Sequence, residues 1–297
     1  MAMEQGRFVV GSVFWRKVID RTVAYVPAIF HWPLIWLGAI VFFFVAAPAR
    51  KALLRNLKLI RPQSWRIANY LRVIRVFANF GWSLTDTAAY RILKARFRYE
   101  FEGMRFLDQL ASAKGGIVLT AHMGSYDLAA ALFAQKFHRV VRMVRAPESD
   151  ARSAEHVDLA LQQASAGAVQ VGYSDDGTAL AFELLKALRA GEIISIQGDR
   201  IVGTVGRENV DLFDRKIPLP NGPFVLSLVS EAAIFPIFIV RTGYRKYKIV
   251  AREPIVCANG NASRDETVTE AMQRWAGALQ EITRTYWPQW FAFTTLL

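Results

Sequence analysis

The sequence predicts an α/β fold with a mainly parallel central sheet flanked by helices, preceded by an apolar and amphipathic helical segment that associates with a membrane. Three observations predict it. From about residue 96 short apolar runs alternate with helical stretches, as βα units do. Before that, 22 residues from Val26 to Ala47 carry no acid or base apart from His31. Between the two lie basic stretches whose leucines recur at helical spacing.

The Val26–Ala47 run is long enough to cross a bilayer. Pro27 and Pro33 interrupt it, so the chain alone allows a kinked span, a helix dipping into one leaflet, or a buried hairpin. The run is too long for a signal-peptide core, and no small-residue cleavage site follows it. The net charge of +12 over 297 residues favours anionic surroundings. Its distribution selects the partner: Arg7, Arg16, Lys17 and Arg21 precede the apolar run, and Arg50, Lys51, Arg55, Lys58, Arg61, Arg66 and Arg72 follow it. Bases gathered around an apolar segment fit an anionic membrane surface better than nucleic acid. If the segment spans, the heavier load on its C-terminal side places the main domain in the cytoplasm. Residues 50–95 then read as basic amphipathic helices, with Leu53, Leu54, Leu57 and Ile60 along one face.

RFRYEFEG alternates like a half-buried strand, whereas GGIVLTAH and GEIISIQGD are continuous apolar runs suited to strands covered on both faces. RVVRMVRA, AVQVGYS, AIFPIFIVR and YKIVAREPI are further strands. Helices are expected over 124–136, 154–166, 178–190 and 265–286. The chain thus divides into a helical, membrane-anchoring region, 1–95, and an α/β domain, 96–297, with no linker between them, so together they form one structural unit. Cys257 is the single cysteine, which excludes an internal disulfide and a Cys-rich metal site and agrees with a reducing compartment.

Three strand ends carry candidate chemistry. TAHMGSYD puts His122 after an apolar strand and Asp127 in the first turn of the following helix, where the carboxylate can return to the imidazole. One ring nitrogen is then held and the other can remove a hydroxyl proton. A serine-esterase reading fails because no G-x-S-x-G elbow is present, and Ser125 is expected to cap the helix. Four scattered histidines offer no metal-ligand spacing. IQGDRIVG brings Asp199 and Arg200 into a turn; Arg200 can bind a phosphate of donor or acceptor, and Asp199 can orient it. LPNGPF places Asn221 and Gly222 at the start of an apolar helix, whose free amides suit an anion. Arg145 ends the strand RVVRMVRA and is a further anion candidate.

Together the blocks TAHMGSYD, VRAPES, QGDRIVG and LPNGPF resemble, in content and order, the lysophospholipid acyltransferase superfamily. Within it the chain is similar to the branch of the lipid A late acyltransferases, lauroyl and myristoyl transferases of the bacterial inner membrane. The resemblance runs from ARKALLRNLKLIRP to YWPQWFAF. It implies transfer of an acyl chain from acyl carrier protein or coenzyme A to a hydroxyl of a lipid acceptor at the cytoplasmic face of the inner membrane, without metal, cofactor or acyl-enzyme. It further implies that His122 is the general base, Asp127 its orienting acid, and Arg145 and Arg200 anion contacts. The ending QWFAFTTLL departs from the basic ending usual in the lipid A enzymes, which leaves the acceptor open among lipid A, an aminolipid, a polyene or a lysophospholipid. Two other classes remain beside this one: a thioesterase, and a noncatalytic protein that binds anionic lipid.

Overall fold

A computed structural model of the chain describes residues 13–145, 165, 167–173, 177–201, 205–257 and 263–296. The expected helix at 154–166, most of the VRAPES block and Gly203 fall on or beyond the gaps between these residues. The N-terminal layer is helical: α1 (Val13–Tyr25), α2 (His31–Val45), α3 (Ala47–Ile60) and α4 (Arg66–Leu93). Pro33 sits in the first turn of α2, where a missing N–H costs little, so that helix is not broken inside. The interruption lies earlier, at Pro27 and a short 3-10 turn, Ala28–Phe30.

The main sheet has seven strands in the order β1-β9-β8-β2-β5-β3-β4. These are β1 (Arg98–Glu102), β2 (Gly116–Thr120), β3 (Val141–Arg145), β4 (Val169–Tyr173), β5 (Ile193–Gln197), β8 (Ile234–Gly243) and β9 (Lys246–Ala251). All neighbouring pairs are parallel except β8–β9, so the expected α/β class holds. Among the described residues five helices cover it: α5 (Met104–Ser112), α6 (Tyr126–Phe137), α7 (Gly177–Arg189), α8 (Gly222–Ser230) and α9 (Arg264–Tyr286). A separate antiparallel pair, β6 (Arg207–Leu212) and β7 (Arg215–Pro220), lies outside the main sheet. The ribbon is not among the strands expected from the sequence; Pro218 and Pro220 lie in its second strand, and a two-stranded ribbon accepts prolines that a central strand would not.

The continuous apolar character of β2 follows from its place in the middle of the sheet. Ile117, Leu119 and Ala121 enter one core with Phe238 and Trp275, while Val118 packs into a second with Ala134, Met143 and Ile193. A third core joins α2, α3 and α4 to the C-terminal segment through Leu53, Leu57, Phe77, Trp287 and Phe291. Phe77 stacks on Phe293, and Phe80 meets Phe291 edge-on with centroids 5.1 Å apart. Leu53 and Leu57 therefore face inward, as their spacing predicts, and Lys51, Arg55 and Lys58 are exposed.

Candidate active site

Parallel strands that pair in register also align the residues just beyond their ends. Thr120 of β2 lies opposite Gln197 of β5, and the Gly198 amide donates to the Thr120 carbonyl at 2.9 Å. His122 and Asp199 each stand two residues past these partners, so they meet although 77 positions separate them in the chain. The His122 Nδ1 to Asp199 Oδ1 distance is 2.7 Å. The other carboxylate oxygen accepts a hydrogen bond from the Trp290 indole N–H at 2.8 Å. Asp199 is wholly buried and each of its oxygens has a donor, which is what a buried charge requires.

Electrostatics set the protonation of the pair. Burial pushes the His122 imidazole below the usual histidine range; Asp199 pulls it back up, and the Arg200 and Arg145 charges push it down again. Burial alone would raise the Asp199 carboxyl, but the charge and hydrogen bond of His122, the Arg200 charge and the Trp290 N–H outweigh it and hold the group at about 2. At neutral pH the pair is a neutral imidazole on a carboxylate. Nδ1 carries the proton and donates it to Asp199, which leaves the lone pair of Nε2 for chemistry.

The C-terminal segment fixes the turn that carries His122. The Phe291 N–H donates to the His122 carbonyl at 2.8 Å, and the Gly124 N–H donates to the Gln289 carbonyl at 3.1 Å. Gln289 also grips Arg241, accepting from its backbone N–H at 2.6 Å and donating to its carbonyl at 2.8 Å. Arg241 in turn pairs with the buried Asp86 of α4, which accepts a second hydrogen bond from the Tyr247 hydroxyl. Gly124 has φ +55, and a Cβ there would lie 2.1 Å from the Ile239 carbonyl oxygen, so the turn needs glycine. From the other side the Ser83 hydroxyl of α4 donates to the Gly124 carbonyl at 2.7 Å.

The structure brings together His122, Asp199, Arg200 and Arg145, whose charges act on one another, and adds Trp290, which sequence reasoning did not single out. A tryptophan near a chain end carries no local signal of a catalytic contact. Asp199, expected to orient Arg200, instead spends its two oxygens on His122 and Trp290. Arg200 lies 3.5 Å from the Phe291 carbonyl, and Arg145 is buried at the end of β3. Asp127 is in the first turn of α6, and its side chain lies outside the described residues. Ser125 holds the N-cap position of α6 but makes no capping hydrogen bond; its hydroxyl is 3.0 Å from that of Thr87. The capping role expected of it is taken away by α4, which competes for the same oxygen. Asn221 precedes α8, and its amide donates to Glu208 Oε1 at 3.2 Å, which ties it to the β6–β7 ribbon. Gly222 opens α8, and a Cβ there would meet nothing within 4 Å.

A buried imidazole held by a carboxylate at the open ends of parallel strands can abstract a proton from a bound hydroxyl. Comparison with known families matches residues 10–297 to the family described as bacterial lipid A biosynthesis acyltransferase. No curated protein matches the chain. A match over nearly the whole length means that the chain belongs to the bacterial lipid A biosynthesis acyltransferase family and is an acyltransferase acting on lipid.

Proposed function

We propose that the protein transfers a fatty acyl chain from a thioester of acyl carrier protein or coenzyme A to a hydroxyl of a membrane lipid, at the cytoplasmic face of a bacterial inner membrane. The observation that carries this reading is the His122–Asp199–Trp290 chain, because it leaves a neutral imidazole with Nε2 free to act. Nε2 takes the proton of the acceptor hydroxyl as its oxygen attacks the thioester carbonyl. The resulting oxyanion collapses and expels the thiolate, which receives the proton from the imidazolium and leaves as a thiol. Asp199 steadies the transient cation, and Asp127, in the first turn of α6, is proposed as a second carboxylate near the base. Arg145 and Arg200 offer positive charge to the oxyanion or to a phosphate of either substrate. Asn221 and Gly222 are proposed as a backbone anion contact at the start of α8. No cofactor or metal takes part in this scheme.

Beside His122 a cavity of about 140 Å³ runs between α6 and the sheet, walled by Thr120, Tyr126, Phe133, Ile193 and Ile237. The Tyr126 ring stands 5.8 Å from that of His122, so an acyl chain lying in the cavity would present its thioester to the base. Membrane placement is supported by Ala28–Val45, 18 residues of mean hydropathy 2.1 of which 11% are buried. Helical rise gives such a segment a length of about 27 Å, close to the thickness of a bilayer core.

The test is thiol release from an acyl thioester with and without a bacterial lipid extract, followed by mass spectrometry of the lipids. Release that depends on lipid and yields an acylated product is expected. Release without lipid makes the protein a thioesterase, and none at all makes it a binding protein.

A further inference from the structure

A second cavity, of about 230 Å³, lies between α1, α2 and α4 and shares no lining residue with the one beside His122. Trp15, Leu34, Gly38, Phe42, Phe77 and Phe80 are among the residues of its wall, and Arg16 is the charged one. Three uncharged polar side chains of the wall bond within the protein. The Thr22 hydroxyl donates to the Val18 carbonyl at 2.9 Å, that of Thr85 to the Gly81 carbonyl at 2.8 Å, and His31 Nε2 lies 3.0 Å from the Val26 carbonyl. A void whose wall is mostly apolar favours an apolar guest over water.

Two further facts select the guest. The helix forming one wall, α2, turns Trp32, Leu37, Ile40 and Phe44 outward, so hydrocarbon is the medium that suits its surroundings. The helix forming another, α1, exposes Lys17 and Arg21, which suit an anionic headgroup. We propose that this cavity binds one aliphatic chain of an anionic bilayer phospholipid. The proposal rests on the membrane placement of α2 and is independent of the transfer chemistry.

Gly38 provides the test. It lines the cavity, and a Cβ built on it meets nothing within 4 Å, so a side chain can start there without a clash, and Gly38→Leu places an isobutyl group at the cavity wall and also favours the helix. Full-length protein is bound to vesicles of phosphatidylethanolamine and phosphatidylglycerol doped with a phosphatidylglycerol that carries a diazirine on one acyl chain. After irradiation, adducts are mapped by peptide mass spectrometry. Wild type is expected to be labelled inside the cavity, at Phe77 or Phe80, as well as on the outward Leu37 and Ile40. Gly38→Leu should lose the inner labels and keep the outer ones, and Gly38→Ala should keep both. Vesicle binding without inner labels in wild type, or inner labels that persist in Gly38→Leu, overturns the proposal. Absence of vesicle binding overturns the membrane placement along with it.

Discussion

The two ends of this molecule invert the usual distribution of side chains, each in its own direction. Around α1 and α2, Phe14, Ile29, Trp32, Leu37 and Phe44 point away from the protein. At the carboxyl edge of the sheet, Asp199 is wholly buried and Arg145 nearly so. Exposed apolar groups and buried charges are the informative exceptions to burial rules, and each needs a specific environment. In the proposed placement the outward face is covered by the hydrocarbon of a membrane. The buried Asp199 charge needs partners, and the fold supplies them from two distant parts of the chain, at His122 and Trp290. The N-terminal layer is therefore adapted to what surrounds the molecule, and the strand ends are adapted to what happens inside it. Phe80 and Ser83 of α4 join the two, one against Phe291 and the other on the Gly124 carbonyl.

Breaking the inner region should give the larger effects. Asp199→Asn leaves the geometry nearly unchanged but stabilises the wrong imidazole tautomer, and turnover should fall by up to about 10⁴-fold, the cost seen where a buried aspartate holds a catalytic histidine. Asp127→Asn should cost less, because Nδ1 is already taken by Asp199. Steady-state kinetics of both variants decide the ranking, and a greater loss in Asp127→Asn would reverse the assignment of the orienting carboxylate.

Trp290→Phe removes one hydrogen bond to a buried carboxylate, worth about 1.5–3 kcal/mol, so kcat should drop roughly tenfold or more while KM changes little. The pH profile separates positioning from simple loosening. In the proposed mechanism the base is neutral His122, whose pKa is depressed, so kcat/KM should be flat at neutral pH and fall only as pH drops through a value below the ordinary 6.5. Without the indole N–H the Asp199 carboxyl rises from about 2, and the apparent pKa of the acid limb should move. An unchanged limb in Trp290→Phe would leave the indole a packing role only.

Smaller still is the effect expected on catalysis from the outer region. Leu37 and Val41 lie one turn apart on the exposed face of α2. Two lysines there, each costing about 2.5–3.5 kcal/mol at the centre of a membrane helix, should convert salt-resistant membrane binding into binding released by high salt. The thiol-release rate with a short-chain, detergent-dispersed acceptor should stay near wild type. If sedimentation shows that wild type itself leaves membranes in high salt, the apolar face is covered by something other than a bilayer.

Much of the fold was legible because period and length speak locally. The apolar runs of β2 and β5, the leucines of α3 and the long helix near the C-terminus all appear where the pattern places them. His122 was legible for the same reason, as the first polar group beyond an apolar strand. Its contact with Asp199 was not. That β2 and β5 are neighbours is a property of strand order, and no feature within either strand encodes it. Asp127, five positions from His122, is the partner expected from spacing, and its side chain lies outside the described residues; register brings Asp199 to the ring from 77 positions away. The β6–β7 ribbon was not legible: Pro218 and Pro220 in its second strand are residues that argue against a strand. Ser125 was placed correctly at the start of α6, but its hydrogen bonding was not, since Ser83 and Thr87 reach it from a helix some forty residues earlier.

The most direct test is lipid-dependent acyl transfer by His122→Ala, measured beside wild type with thermal unfolding as the control for the fold. Loss of the base predicts a rate lower by about 10²- to 10⁴-fold with an unchanged unfolding transition. Turnover near the wild-type rate in a folded His122→Ala protein would contradict the account.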